Sequence, residues 1–206
     1  MRVGRMVLAA TFVLAILVDE VPALAAGPED TVNGFHAVLL DTVREGRTLG
    51  ESGRYARIRP VVRQVFDLPS MARLAVGTSW SAFSAAQQEA VTAAFGAYIS
   101  ATYADRFGSY SGQQLKVIGQ QPSVAGVIVK ARIIKANGDP VSIDYLVRQI
   151  DGAWRISDVY LDGAISQLAT QRSEFSAILR RDGCDGLIGA LQRKVSLLTG
   201  SVASAS

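Results

Sequence analysis

The stretch VIVKARIIKANGDPVSIDYLVRQIDGAWRISDVYL, residues 127–161, decides the fold class. Val127, Val129, Ala131 and Ile133 alternate with Ile128, Lys130, Arg132 and Ile134, the period of two expected of a strand with unlike faces. After Asn137-Gly138, a turn dipeptide, Val141, Ile143, Tyr145 and Val147 alternate with Ser142, Asp144, Leu146 and Arg148. Asp151-Gly152 supplies a second turn. Trp154, Ile156, Asp158 and Tyr160 then alternate with Arg155, Ser157, Val159 and Leu161. Short turns between such segments predict an antiparallel meander with one apolar and one mixed face, opened upstream by Leu115 and Val117.

Outside this stretch the period is helical. Phe35, Val38, Leu39 and Thr42 recur at three and four, and residues 55–66 form a second helix that Pro60 bends or begins. Asp67-Leu68-Pro69 opens a short third helix ending at Gly77. Ser84 with Gln87 reads as a capping box for the longest helix, striped by Val91, Phe95, Tyr98, Thr102 and Phe107. Beyond the meander, Ile165, Leu168, Phe175, Ile178 and Leu179 predict a helix closing near Gly183. Leu187, Ile188, Leu191, Val195 and Leu198 predict the last. The expected class is α+β: a curved antiparallel sheet of about four strands covered by N- and C-terminal helices.

The ends suggest export. Arg2 and Arg5 precede the apolar run 6–18, and Ala23-Leu24-Ala25 gives a small-x-small cleavage pattern, so residues 1–26 read as a signal peptide. The run falls short of the roughly 20 residues a membrane span needs. Processing would leave one domain over 27–200, large enough for a substantial core, and a polar tail, 201–206, expected to be disordered. The net charge of +3 survives, since Arg2 and Arg5 leave together with Asp19 and Glu20. No Lys/Arg run marks a nucleic-acid partner. With one Cys and one His in the chain, neither an internal disulfide nor a metal site at the usual spacing is expected.

Individual residues give weak signals by themselves. His36 lacks a readable catalytic partner and reads as a partly exposed structural residue. Asp158 reads as a strand carboxylate bonding a neighbouring helix end, Cys184 as a small buried filler, and Glu174 as solvated. The inward strand positions are mostly Val, Ile and Ala. Beneath a long helix such side chains either leave an apolar cavity or are met by Phe95, Tyr98 and Phe107 in a filled core. Pattern alone leaves both open and favours the filled one.

Several segments together resemble one family. Phe66, Met71, Gly77 and Trp80 fall at the spacing of a stretch in the MlaC/toluene-tolerance family of periplasmic lipid-binding proteins. Gln87 and Phe95 fit its next helix, and Trp154-Arg155-Ile156-Ser157-Asp158 resembles one of its strands. Arg172-Ser173-Glu174-Phe175, then Gly183, Asp185, Gly186, Leu187, Ile188 and Leu191, resemble its ending. The wording of 68–77 and 108–112 is most similar to the branch associated with hopanoid biosynthesis. The sequence departs from the family at Gln171, often aromatic there, and at residues 162–166.

The resemblance implies a nuclear-transport-factor-like cone with extra helices. It also implies a soluble periplasmic carrier, without catalysis or cofactor, that moves a hopanoid or phospholipid between an inner-membrane transporter and the outer membrane. The expected pocket residues are Phe95, Tyr98 and Phe107 from the helices, with Val127, Val129, Ile133, Val141, Ile143, Tyr145, Val147 and Ile156 from the sheet. Two other readings compete: an exported cone-fold enzyme using Asp158 or Asp144, and an adaptor that docks a membrane transporter without carrying lipid.

Overall fold

The computed structural model describes residues 27–109 and 111–200, so the expected signal peptide and polar tail lie outside the described residues. Helix α1 spans Pro28–Arg44, α2 Gly46–Val65, α3 Leu68–Val76 and α4 Ala85–Arg106, with a 3-10 turn, Gly77–Ala82, between the last two. The strands are β1 Gln114–Ser123, β2 Gly126–Ile134, β3 Pro140–Ile150, β4 Ala153–Leu161 and the two-residue β5 Ile165–Ser166, before helix α5, Gln167–Leu198.

Local chemistry sets the helix starts. Ser84 accepts a hydrogen bond from Gln87 N at 3.2 Å, and the Gln87 side chain accepts one from Ser84 N at 2.9 Å. This reciprocal pair satisfies two donors that the first turn of α4 leaves free. Asp67 caps α3 by accepting from Ser70 N at 3.3 Å. Pro60 lies inside α2 rather than at its start, and the break in that element is at Gly50, where φ is +63°. Gly183 interrupts α5 with φ +66° and ψ −162°. A side chain there would be strained, which explains why the helical pattern stops and restarts at this residue.

The sheet is an antiparallel meander in the order β1-β2-β3-β4-β5. Its inner face holds cross-strand rows: Val127 opposite Val147, Val129 opposite Tyr145, Ala131 opposite Ile143, and Ile133 opposite Val141. Asp151 and Gly152 both have positive φ, 49° and 79°, as a tight two-residue hairpin turn requires. Asn137-Gly138 lies in a wider loop, closed by Lys135 N donating to Asp139 O at 3.0 Å.

Strand β4 departs from simple alternation. Val147 pairs with Ile156 but Leu146 pairs with Asp158, so Ser157 is an extra residue in the ladder. That bulge changes the phase. Ile156 and then Val159 and Leu161 share the inner rows, with Val159 opposite Tyr145 and Leu161 opposite Ile143, while Asp158 and Tyr160 leave them. Ile165, expected in a helix, instead belongs to β5 and is 54% exposed.

Helix α1 crosses the sheet. The junction between α2 and α3 is hooked to β4, where Asp67 N donates to Ile156 O at 2.9 Å. Phe35 stands edge-on to Phe66 and Tyr103, with ring centres 5.2 and 4.9 Å away. Helices α4 and α5 pack on each other, Phe95 meeting Phe175 edge-on at 6.0 Å. Among the described residues, no helix is long and apolar enough to cross a membrane.

Candidate functional site

Helices α4 and α5 cover only part of the sheet's inner face. Between them and strands β2, β3 and β4 lies a cavity of about 310 Å3, at the low end of the range for small-molecule sites. Its buried lining is almost wholly apolar: Phe66, Met71, Ile99, Ile143, Val159 and Leu168, with Tyr103 among them. Its more accessible lining mixes Tyr98, Phe107, Ile133 and Leu161 with the polar Arg106, Gln113, Gln167, Thr170, Gln171 and Glu174. Most of the cavity's polar side chains therefore lie on its accessible side.

Two side chains mark that rim, and a third lies beside them in sequence. Glu174 is exposed, as expected, and forms a surface ion pair with Lys194, whose ammonium lies 5.2 Å from the centre of the Tyr98 ring. Gln171, where an aromatic residue was the family expectation, turns a buried Oε1 without a hydrogen-bond partner beside the cavity. Arg172, its neighbour, lies against Gly77. The φ of +70° at that glycine would strain any side chain, and a Cβ there would stand 3.1 Å from the guanidinium, which would have to give by a few tenths of an ångström.

Asp158 borders the cavity with its oxygens engaged. It accepts from Ser166 Oγ at 2.6 Å, from Leu168 N at 3.2 Å and from Val159 N at 2.7 Å. Ser166 in turn accepts from Ala169 N at 3.0 Å. The pair fastens β4 to the first turn of α5, where a carboxylate is favoured by the orphan N–H groups. Burial, followed by the neighbouring Asp158 carboxylate, raises the Tyr160 phenol above its ordinary range. Burial also pushes the Cys184 thiol up, with Asp185 adding to the shift, the opposite of an activated nucleophile.

His36 is fully enclosed, at 3% exposure, rather than partly exposed. Its Nε2 lies 2.9 Å from the Tyr145 hydroxyl, and burial lowers its pKa to about 4.

Of the residues expected to line a pocket, Tyr98, Phe107, Ile133 and Ile143 surround the cavity. Phe95, Val129, Tyr145, Val147 and Ile156 lie in the packed core. Val127 packs against that core, and Val141 is half-buried opposite Ile133. Sequence reasoning missed Val159 and Leu161, which the bulge at Ser157 turns inward. The slip was visible as Ser157-Asp158, two polar residues in succession inside an apolar alternation. Phe66, Met71, Ile99 and Leu168 were legible as apolar helix-stripe or motif positions, but nothing local distinguished a cavity wall from filled core.

A curved meander with helices packed against it and a largely apolar hollow beneath α4 and α5 defines the class: an α+β cone with an internal cavity. The MlaC protein family matches residues 35–193, and the chain belongs to that family. Among solved structures, it is similar in fold to a phospholipid-binding protein from Ralstonia solanacearum, determined in complex with a phospholipid. That likeness has a TM-score of 0.72 at 21% identity, covering 84% of this chain and 99% of the other.

Proposed function

We propose that this chain is a periplasmic lipid carrier. After removal of residues 1–26, a single lipid-binding domain over 27–200 takes up a hopanoid or phospholipid and shuttles it between an inner-membrane transporter and the outer membrane. The observation that carries this reading is the hollow under α4 and α5, apolar where buried apart from Asp158, with most of its polar side chains on the accessible side. Membership of the MlaC family and the fold shared with a phospholipid-binding protein support it.

The physical need is large. A membrane lipid crossing water exposes about 25 CH2-sized groups at about 0.8 kcal/mol each, on the order of 20 kcal/mol. A barrier of that size limits spontaneous escape to about one event in a hundred seconds. Apolar walls such as Ile99, Ile143 and Val159 stand in for the hydrocarbon surroundings that a lipid gives up on leaving the bilayer, while Arg106, Gln113 and Gln167 keep a head group hydrated at the rim. The cavity as it stands, 310 Å3, matches about ten CH2-sized groups if each takes about the volume of a water molecule. A whole lipid exceeds that volume, so loading needs either a widening of the site or a ligand left partly outside at the open rim.

Native mass spectrometry of protein purified from the periplasm of its own cells tests the proposal. A co-purifying lipid, displaced by incubation with labelled vesicles, is the expected result. A bare protein mass combined with no uptake from labelled vesicles rejects it.

A further inference from the structure

The outer face of the sheet, whose positions alternate with the inner rows, carries charge in an arrangement that folding alone does not favour. Lys116 on β1 stands directly opposite Arg132 on β2, and Arg148 on β3 directly opposite Arg155 on β4. Like charges facing each other across a ladder are destabilising, because opposed side chains lie only about 5 Å apart. Neither pair is relieved: among the described residues none of the four forms an ion pair. Lys116, Arg132 and Arg148 are exposed. Arg155 is half-buried, its guanidinium donating to Gln64 O in the last turn of α2.

The rest of the face adds to the excess. Lys130 lies between the two pairs, opposite Asp144. Asp162 borders the Arg132 row, its N–H donating to Ser142 O. Asp158 is buried and already engaged by Ser166 and Leu168. Five cations therefore stand against Asp144 and Asp162. Apolar side chains are set among them: the bulge between Val117 and Gly119 leaves Ile118 51% exposed, and Val124, in the turn between β1 and β2, is fully exposed. Gly126, at the end of that turn, lies against Arg148, whose Cγ is 3.0 Å from where a Cβ would be. The apolar tip and the Arg148–Arg155 pair thus share one end of the sheet.

The spread of these groups indicates what they meet. From Ser142, beside Arg132, to Arg148 the strand covers about 20 Å. None of the five cations lines the cavity under α4 and α5 or the groove between α2 and α4. A folded acidic partner holds its carboxylates at fixed positions and is best gripped in a cleft. An anionic bilayer presents a plane of phosphates that shift sideways, so each like-charged pair can collect its own counter-charge.

We infer that the outer face of the sheet is a docking surface for an anionic lipid bilayer. The Lys116–Arg132 and Arg148–Arg155 pairs are its contact points, and Val124 is the apolar tip that meets the head-group layer. The cavity lies on the other side of the sheet, so docking and ligand uptake are separate events. The inference does not rest on the lipid-carrier reading.

Co-sedimentation tests it with the protein as exported by its own cells and vesicles of phosphatidylcholine, alone or mixed with phosphatidylglycerol. Binding is expected to the mixed vesicles only, and molar salt should release it. Each cation at an anionic surface strengthens partitioning about fivefold. Lys116→Gln/Arg132→Gln and Arg148→Gln/Arg155→Gln should therefore each weaken binding by about 10- to 30-fold. A control with the same change in net charge, Arg180→Gln/Arg193→Gln on α5, should weaken it by less than about 3-fold. Relief of like-charge repulsion should leave Arg132→Gln melting no lower than wild type. If the Arg148–Arg155 variant fails to fold because Arg155 holds the end of α2, the Lys116–Arg132 variant decides. Equal binding to both vesicle types overturns the inference, as do face variants that bind like wild type or a control that falls as far as they do. Capture of polyglutamate in preference to the vesicles overturns it too, and would assign the face to an acidic protein. Lipid uptake is not read in this assay, so a failure of the carrier reading leaves its outcome untouched.

Discussion

The same strands end in two different environments. Beside the Asp151-Gly152 turn, Val147 and Ile156 are fully buried. Beside the Asn137-Gly138 loop, Ile133, Ile143 and Leu161 look into open space. The strand residues at the two ends are alike in size and in alternation, so strand composition does not decide which end is hollow. The covering does. At the packed end the Phe35–Phe66 pair and the junction of α2 with α3 come down onto β4. At the other end α4 and α5 press on each other, and the sheet beneath them stays partly uncovered.

The contrast can be broken most forcefully by truncation. Phe35→Ala removes a fully buried ring from between Phe66 and Tyr103 and should cost about 3–5 kcal/mol. Leu161→Ala, at a wall that already faces a void, should cost only about 1 kcal/mol, since little new cavity forms. Urea denaturation measures both. Equal losses would mean that the two ends are packed alike.

Acid should sharpen the contrast from the packed side. The folded-state pKa of His36, about 4, lies below its unfolded value of 6.5, so the unfolded chain binds the proton first as pH falls. The contribution of neutral His36 is complete above pH 6.5 and disappears progressively as pH drops towards 4, amounting to about 3 kcal/mol. The difference in stability between wild type and His36→Gln should therefore shrink by about that amount over this window. A difference that stays constant with pH would show that His36 is not held neutral by burial.

A matched pair of tryptophan substitutions completes the comparison with the smallest change in stability. Val129→Trp overfills the sealed row and should destabilise by about 1–3 kcal/mol. Ile143→Trp points into the hollow. It should alter stability by less than about 1 kcal/mol while abolishing lipid uptake from vesicles. Thermal melting with a vesicle-transfer assay reads both properties, and an Ile143→Trp protein that still takes up lipid would place the ligand elsewhere.

Much of this was legible because it is local. The Ser84–Gln87 box, the Asp67 cap, the Asp151-Gly152 turn and the alternation of β2 and β3 each depend on residues a few positions apart. The motifs around Phe66, Trp154 and Arg172 carried the family. The inner face of β4 was misread because one extra residue at Ser157 moves every later side chain to the opposite face. The burial of His36 was misread because its partner, Tyr145, is 109 residues away, and no local pattern brings α1 to β3.

The sequence alone determined the α+β class, the meander with its turns and the helix caps, since these arise from short-range sterics, hydrogen bonding and periodicity. Whether the sheet's concavity is filled or empty was decided only in three dimensions. Side-chain size fixes how much volume each position can fill. The seating of α1, α4 and α5 fixes how much volume there is to fill.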